Sequence, residues 1–224
     1  MPSKGLMAFW SLLDFLLLAA GALSIALSIV WRKPDVLMNL ALSNEFLNGG
    51  LAVGIALCAT FVVSLGAVVQ RNHITIGFVI LNWLLLIDSI IVVTIGTMIW
   101  FFSLRQRDGI SAKWNALSFE DKITLQDQLK CCGFFNATDN VAVGGSFCTQ
   151  ENIATLMPNV TTNFCVSPVV TYTDYTLENV FTTIYGYMAV VLSLLVCSLC
   201  VIKKRQEEER FKKIDAKRGG RGFV

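Results

Sequence analysis

Four long apolar runs constrain this chain more than any other feature: Leu6–Val30, Leu47–Val69, Ile76–Leu104 and Val180–Ile202. Crossing about 30 Å of hydrocarbon takes roughly 20 helical residues, and each run meets that length. A spanning backbone must satisfy its own polar groups, which a helix does. The runs therefore predict an all-α membrane protein, a four-helix transmembrane bundle. Charged residues make up only 15% of the chain, where soluble domains carry about 25%. The run at 6–30 contains Ala19-Ala20-Gly21-Ala22, a sequence like a signal cleavage site. A signal core usually has only about 7–15 apolar residues. This run is longer and holds Asp14, so it is read as a retained span.

The remaining segments are a short start (1–5), a first loop (31–46), a six-residue connection (70–75), a long loop (105–179) and a tail (203–224). Four spans put both termini on one side. One arrangement makes Lys4, the α-amino group, Arg71 and the nine tail Lys and Arg cytoplasmic, 12 positive groups in all. The other counts Arg32, Lys33, Arg105, Arg107 and Lys113, five groups. The positive-inside rule selects the first, with both termini cytoplasmic and the long loop outside. Asn136-Ala-Thr138 and Asn159-Val-Thr161 fit that side, since glycan acceptors function only in the secretory lumen. Cys131, Cys132, Cys148 and Cys165 share the same loop, and four cysteines in an oxidising compartment read as a disulfide framework.

Seventy-five residues (105–179) make a thin core, so staples are expected. Bonding adjacent Cys131 and Cys132 to each other would tie no distant segments, and two connectivities remain open. Zinc would call for paired cysteine motifs or histidine, and the one histidine, His73, falls on the cytoplasmic side. Ser118-Phe-Glu-Asp predicts a helix start, with Ser118 as cap and Asp121 as reciprocal acid. The helix runs at apolar spacing to Lys130, and Gly133 is the expected left-handed stop. Asn136–Gly145 reads as loop. Val169–Tyr175 is open between strand and helix.

Leu129-Lys130-Cys131-Cys132-Gly133 behind the third of four spans resembles the signature of the tetraspanin family. Cys148 and Cys165 follow at spacings similar to its four-cysteine members, and Asp14 with Gly21 is similar to the family's first span. The likeness covers the whole chain. It implies pairing of Cys131 with Cys165 and Cys132 with Cys148, and an outer domain whose first and last helices continue spans three and four. It also implies a non-enzymatic organiser that gathers other integral membrane proteins, with self-association and sterol or other membrane lipid as further partners. The setting would be the plasma membrane, endosome or vacuole. Ser146-Phe147-Cys148 lacks the Pro, and Phe164-Cys165 the Gly, that many animal members carry. The short Asn-rich loop is more similar to fungal tetraspanins associated with host penetration and morphogenesis.

Asp14, Asn82 and Asp88 lie about 12, 9 and 18 Å into their spans at 1.5 Å per helical residue. A charge there costs several kcal/mol, so each is read as packing glue between helices, with a sterol hydroxyl contact as the functional alternative. Gly50-x-x-x-Gly54 gives a small face for packing spans one and two. Cys197 and Cys200, near the inner end of span four, are candidate palmitoylation sites, and Cys58 is expected to be inert. In the tail, Glu208–Lys212 and Glu209–Lys213 are expected to prolong the helix. The single Arg218-Gly-Gly-Arg-Gly stretch reads as a disordered end, not a nucleic-acid site. The chain shows no Gly-rich phosphate loop, histidine-based catalytic set or metal spacing, so neither enzyme nor cofactor is expected. A small transporter or channel using Asp14 and Asp88 is the competing reading. A claudin-like adhesion protein is a third, but its cysteines would sit in the first loop, and 31–46 has none.

Overall fold

The computed structural model describes residues 4–33, 35–70, 75–136, 139–151, 153 and 164–217. Among these the chain is helical without strands: α1 (Lys4–Val30), α2 (Val36–Ala41), α3 (Asn44–Val69), α4 (Ile76–Leu104), α5 (Gln106–Ala116), α6 (Phe119–Leu129) and α7 (Val166–Lys217). Helices α1, α3, α4 and α7 are long and apolar enough to cross a membrane. Hydropathy locates the ends of α4 at the predicted residues. Helix α3 begins three residues before its apolar run, and α7 extends far beyond 180–202 at both ends. Val169–Tyr175 is thus helix, because α7 needs only local hydrogen bonds to continue into polar sequence.

The chain divides into two compact units. The first comprises Met1–Ser28, Gly49–Ile95 and Ile184–Val224. Its core holds Leu13, Leu17, Leu57, Phe78, Leu81 and Leu194. Its outward faces are also apolar: Phe15 is 63% exposed, Val62, Trp83 and Ile90 each 66%, and Val196 59%. A helix apolar all round calls for an apolar surrounding, not water.

Small residues let α1 and α3 cross closely. A Cβ on Gly54 would lie 2.9 Å from the Gly21 carbonyl and 3.0 Å from the Ile25 nitrogen, and one on Gly50 would meet Ser28 Oγ at 2.7 Å. The Gly50/Gly54 face therefore packs within the chain, as expected. A Cβ on Gly21 would meet Cys58 Sγ at 2.7 Å, so Cys58 sits at the same crossing. Polar and aromatic contacts fix α1 against α4 and α7. Trp10 Nε1 donates to Ser198 Oγ at 3.0 Å. The Trp10 ring meets Phe78 edge-on at 5.8 Å, and the Arg205 guanidinium covers Phe78 at 4.6 Å. Beyond the apolar run, Lys204 pairs with Glu207 at 3.4 Å, one turn earlier than the tail pairs expected from spacing.

The second unit comprises Ile29–Asn48 and Gly96–Thr183. Its core joins Leu37 and Leu40 of α2, Ile110 and Trp114 of α5, Leu125 of α6 and Val169 of α7. The first loop is therefore built into this unit, which apolar periodicity over six residues could not reveal. Asp35 starts α2 by accepting from Leu37 N at 3.0 Å and Met38 N at 3.4 Å. Lys113 Nζ donates to the Leu40 carbonyl at 2.9 Å and lies 5.1 Å from the Phe102 ring centre. Burial pushes the Lys113 ammonium below its usual range, with Glu45 pulling the other way.

Helix α4 stops at Leu104 and α5 restarts at Gln106, with Arg105 at φ −113°, ψ 24° between them. The third long apolar helix is therefore interrupted after Leu104, whereas α7 runs through without a break. Ser118 caps α6, accepting from Asp121 N at 3.2 Å, while its hydroxyl donates to the Asp121 carboxylate at 2.7 Å. The acid thus closes on the cap's side chain and not its backbone. The left-handed stop of α6 is Lys130 (φ 51°) and not Gly133, which bends the chain three residues later at φ 67°. Lys130 takes the left-handed turn as the Lys130 and Cys131 N–H groups both return to the Gln126 carbonyl.

Candidate functional site

The cysteine staples organise the second unit. Cys131 joins Cys165 across 34 residues, and Cys132 joins Cys148 across 16. Adjacent cysteines thereby clamp two different return segments onto the end of α6. Backbone bonds reinforce the clamp: Cys165 N donates to the Gly133 carbonyl at 2.9 Å and Val166 N to that of Phe134 at 3.2 Å. Cys131 and Cys165 lie in the core beside Trp114 and Val169. Gln126 is fully buried. With its amide nitrogen turned to the Ala142 carbonyl (2.8 Å), its oxygen accepts from Gly133 N at 3.0 Å. Buried polar groups need such partners.

The turn before Cys148 depends on Asp127. Its carboxylate accepts from Ser146 N at 3.0 Å and Phe147 N at 2.8 Å. These backbone bonds, Ser146's first, hold the Asp127 carboxyl below the usual carboxylate range. Gly145 (φ 77°) makes room, since a Cβ there would meet the carboxylate at 2.5 Å. Neither Gln126 nor Asp127 stands out in the sequence, because their partners are 7–20 residues away.

No family model, curated protein or solved structure matches the chain. Residues and geometry alone carry the functional reading.

Asn136 is exposed at the surface of the loop. The rest of its acceptor triplet, and all of Asn159-Val-Thr161, lie outside the described residues. His73 and Arg71 also lie outside them.

Within the first unit, helix α3 supplies a hydroxyl to each of the two acids in the apolar helices. Ser64 Oγ donates to Asp14 of α1 at 2.6 Å, and Thr60 Oγ1 donates to Asp88 of α4 at 2.6 Å. Both acids are only 3% exposed. Thr60 and Ser64 are one helical turn apart, so one stripe of α3 ties down two neighbours. Two hydroxyls four residues apart in an apolar run were the available signal. Asn82 joins neither pair. Its Oδ1 is buried without a hydrogen-bond partner among the described residues, and its side chain lines a hollow of about 280 Å³ with Trp83 and Leu199. The three polar residues therefore share no hydrogen-bonded site among the described residues.

The two cysteines near the end of the fourth apolar run differ. Cys197 is buried and Cys200 exposed, so only Cys200 presents its thiol outward.

Proposed function

We propose that the chain is a tetraspanin-like organiser of the membrane, with four spanning helices and a stapled head that recognises partner membrane proteins. One observation carries this reading. Two disulfides from adjacent cysteines hold a polar unit rigid, while four other helical stretches present apolar surface outward. Rigidity lowers the ordering cost of binding, which suits a recognition surface. The head faces the oxidising side, where disulfides persist, and the basic tail faces the cytosol. Glycan on Asn136 and Asn159 belongs to the same side of the membrane as the staples. Cys200 is the acyl acceptor, and Cys197 packs inside.

Asp14 and Asp88 serve assembly in this reading, since each already has a hydroxyl partner on α3. Lateral association with other integral membrane proteins sets function, at the plasma membrane or on endosomal or vacuolar membranes.

The reading is tested by exchanging residues 132–163 for another sequence with the cysteines kept, followed by extraction in mild detergent. The set of co-purifying membrane proteins should change. An unchanged set, with the disulfides intact, would count against a recognition head.

A further inference from the structure

One face of α4 carries an amide with nothing to bond, and next to it an indole in the same state. Asn82 and Trp83 line the hollow of about 280 Å³ whose other walls are Val79, Leu86, Leu199 and Ile202, all within the first unit. Asn82 Oδ1 is buried without a partner, and neither end of the amide bonds elsewhere among the described residues. Trp83 is exposed, and its Nε1 has no acceptor among them. Asp14 and Asp88, by contrast, each have a hydroxyl from α3. Polar groups left unpaired in an apolar surrounding are costly. Trp83 lies about 10 Å past Ile76, where α4 starts, at 1.5 Å per residue. That is deeper than the helix ends at which indoles meet headgroups.

The chemistry of this face says what covers it. An indole N–H only donates, and the Asn carbonyl accepts. No bond holds the amide where it stands, so rotation about χ2 turns its oxygen into the hollow. Donor and acceptor are neighbours in sequence, so their depths differ by about 1.5 Å along α4. A twofold axis along the bilayer normal sets equal depths side by side, and so brings each Trp83 to the partner's Asn82. Shape agrees with this pairing. An apolar cavity of about 150 Å³ takes a benzene ring, and the hollow here is larger. A closed pair needs one patch that fits itself. Ring and hollow, donor and acceptor, lie together on this one. An acyl chain in the hollow would leave both polar groups unpaired.

We infer that two copies of this chain pair through this face of α4 and α7. Each Trp83 ring enters the partner's hollow, and its Nε1 donates to the partner's Asn82 Oδ1. The pairing deepens the lateral association proposed above and rests on the same membrane reading.

The test uses the full chain, labelled at the α-amino group in donor-dye and acceptor-dye pools and combined in phosphatidylcholine vesicles. Energy transfer is followed as lipid is added. Asn82→Leu and Trp83→Leu should each weaken self-association about tenfold, since either change removes both symmetric bonds. A mixture of the two variants should associate roughly threefold more tightly than either does with itself, half of that loss on a logarithmic scale. In the mixture one Trp83 again meets one Asn82. No gain in the mixture would overturn the pairing, as would variants that associate like the unaltered chain. Trp83→Phe keeps a ring and removes the N–H, so it reads the bond even where Trp83→Leu folds poorly. Its transfer should fall, and an unchanged value would count against the pairing. Loss of a bound hydroxyl lipid from the variants, with transfer unchanged, would assign the hollow to lipid instead. The vesicles hold no other protein, so monomers there leave recognition by the stapled head standing. A chain released from membranes by alkaline carbonate would sink the membrane reading and the pairing together.

Discussion

Replacing Cys131 and Cys165 together by alanine should destabilise the stapled unit by about 4 kcal/mol, the chain-entropy value for a closed loop of this length. The bond ties segments 34 residues apart and is buried in the core beside Trp114. Its removal frees the start of α7 from the end of α6. The backbone bonds from Cys165 and Val166 to Gly133 and Phe134 remain as the local tie. For a domain of this size, the loss corresponds to a drop on the order of 20 °C in melting temperature. Heating the full chain in detergent and following protease cleavage within 106–129 reads the effect. The Cys132–Cys148 bond closes a 16-residue loop, and the same replacement there should cost about 3 kcal/mol. Two variants that melt like the unaltered chain would show that the unit holds together without its staples.

Gly54→Ala should weaken the first unit by about 2 kcal/mol, within the range for overpacking a tight core. The added methyl would stand 2.6 Å from Ile25 Cγ1, 2.9 Å from the Gly21 carbonyl and 3.0 Å from the Ile25 nitrogen. A side chain can rotate away, but backbone atoms yield only if the two helices separate. Gly66→Ala on the same helix is the control, since a Cβ there meets nothing within 4 Å. Alanine also favours helix over glycine by about 1 kcal/mol, so that variant should be neutral or more stable. Melting of both variants in one detergent compares them directly. Equal behaviour would mean that α1 and α3 do not approach as closely as these distances require.

Apolar length made the four long helices legible, because a run of about 20 apolar residues has few other uses. It could not show where α7 begins or ends, since hydropathy reports the surroundings of a helix and not its hydrogen bonding. The residues at 166–179 and 203–217 are polar yet helical. The capping role of Ser118 was legible from local sequence, because a cap and its acid lie within one turn. The end of α6 at Lys130 was legible, but not which residue turns left-handed there. Gly133 is the residue freest to turn left-handed, but the hydrogen bonds to Gln126 impose that turn on Lys130.

Helix α2 was missed for another reason. It is six residues long, too short for periodicity, and it gains its place from Ile110, Trp114 and Leu125 far along the chain. The acids at 14 and 88 stood out at once as costly residues in apolar runs. Their partners Thr60 and Ser64 did not, since a hydroxyl in a spanning helix commonly bonds its own backbone. The long-range pairing of Asp127 with the Ser146–Phe147 turn has no local signature at all.

Topology of the stapled unit is the claim on which the rest depends, and protease protection tests it most directly. Sealed microsomes with their cytosolic face outward are digested, and the protected fragment spanning 105–179 is weighed after alkylation without reduction. The expected result is an intact fragment in which Cys131, Cys132, Cys148 and Cys165 take up no alkylating reagent. A fragment cut from the cytosolic side, or one that gains four alkyl groups without reduction, would contradict it.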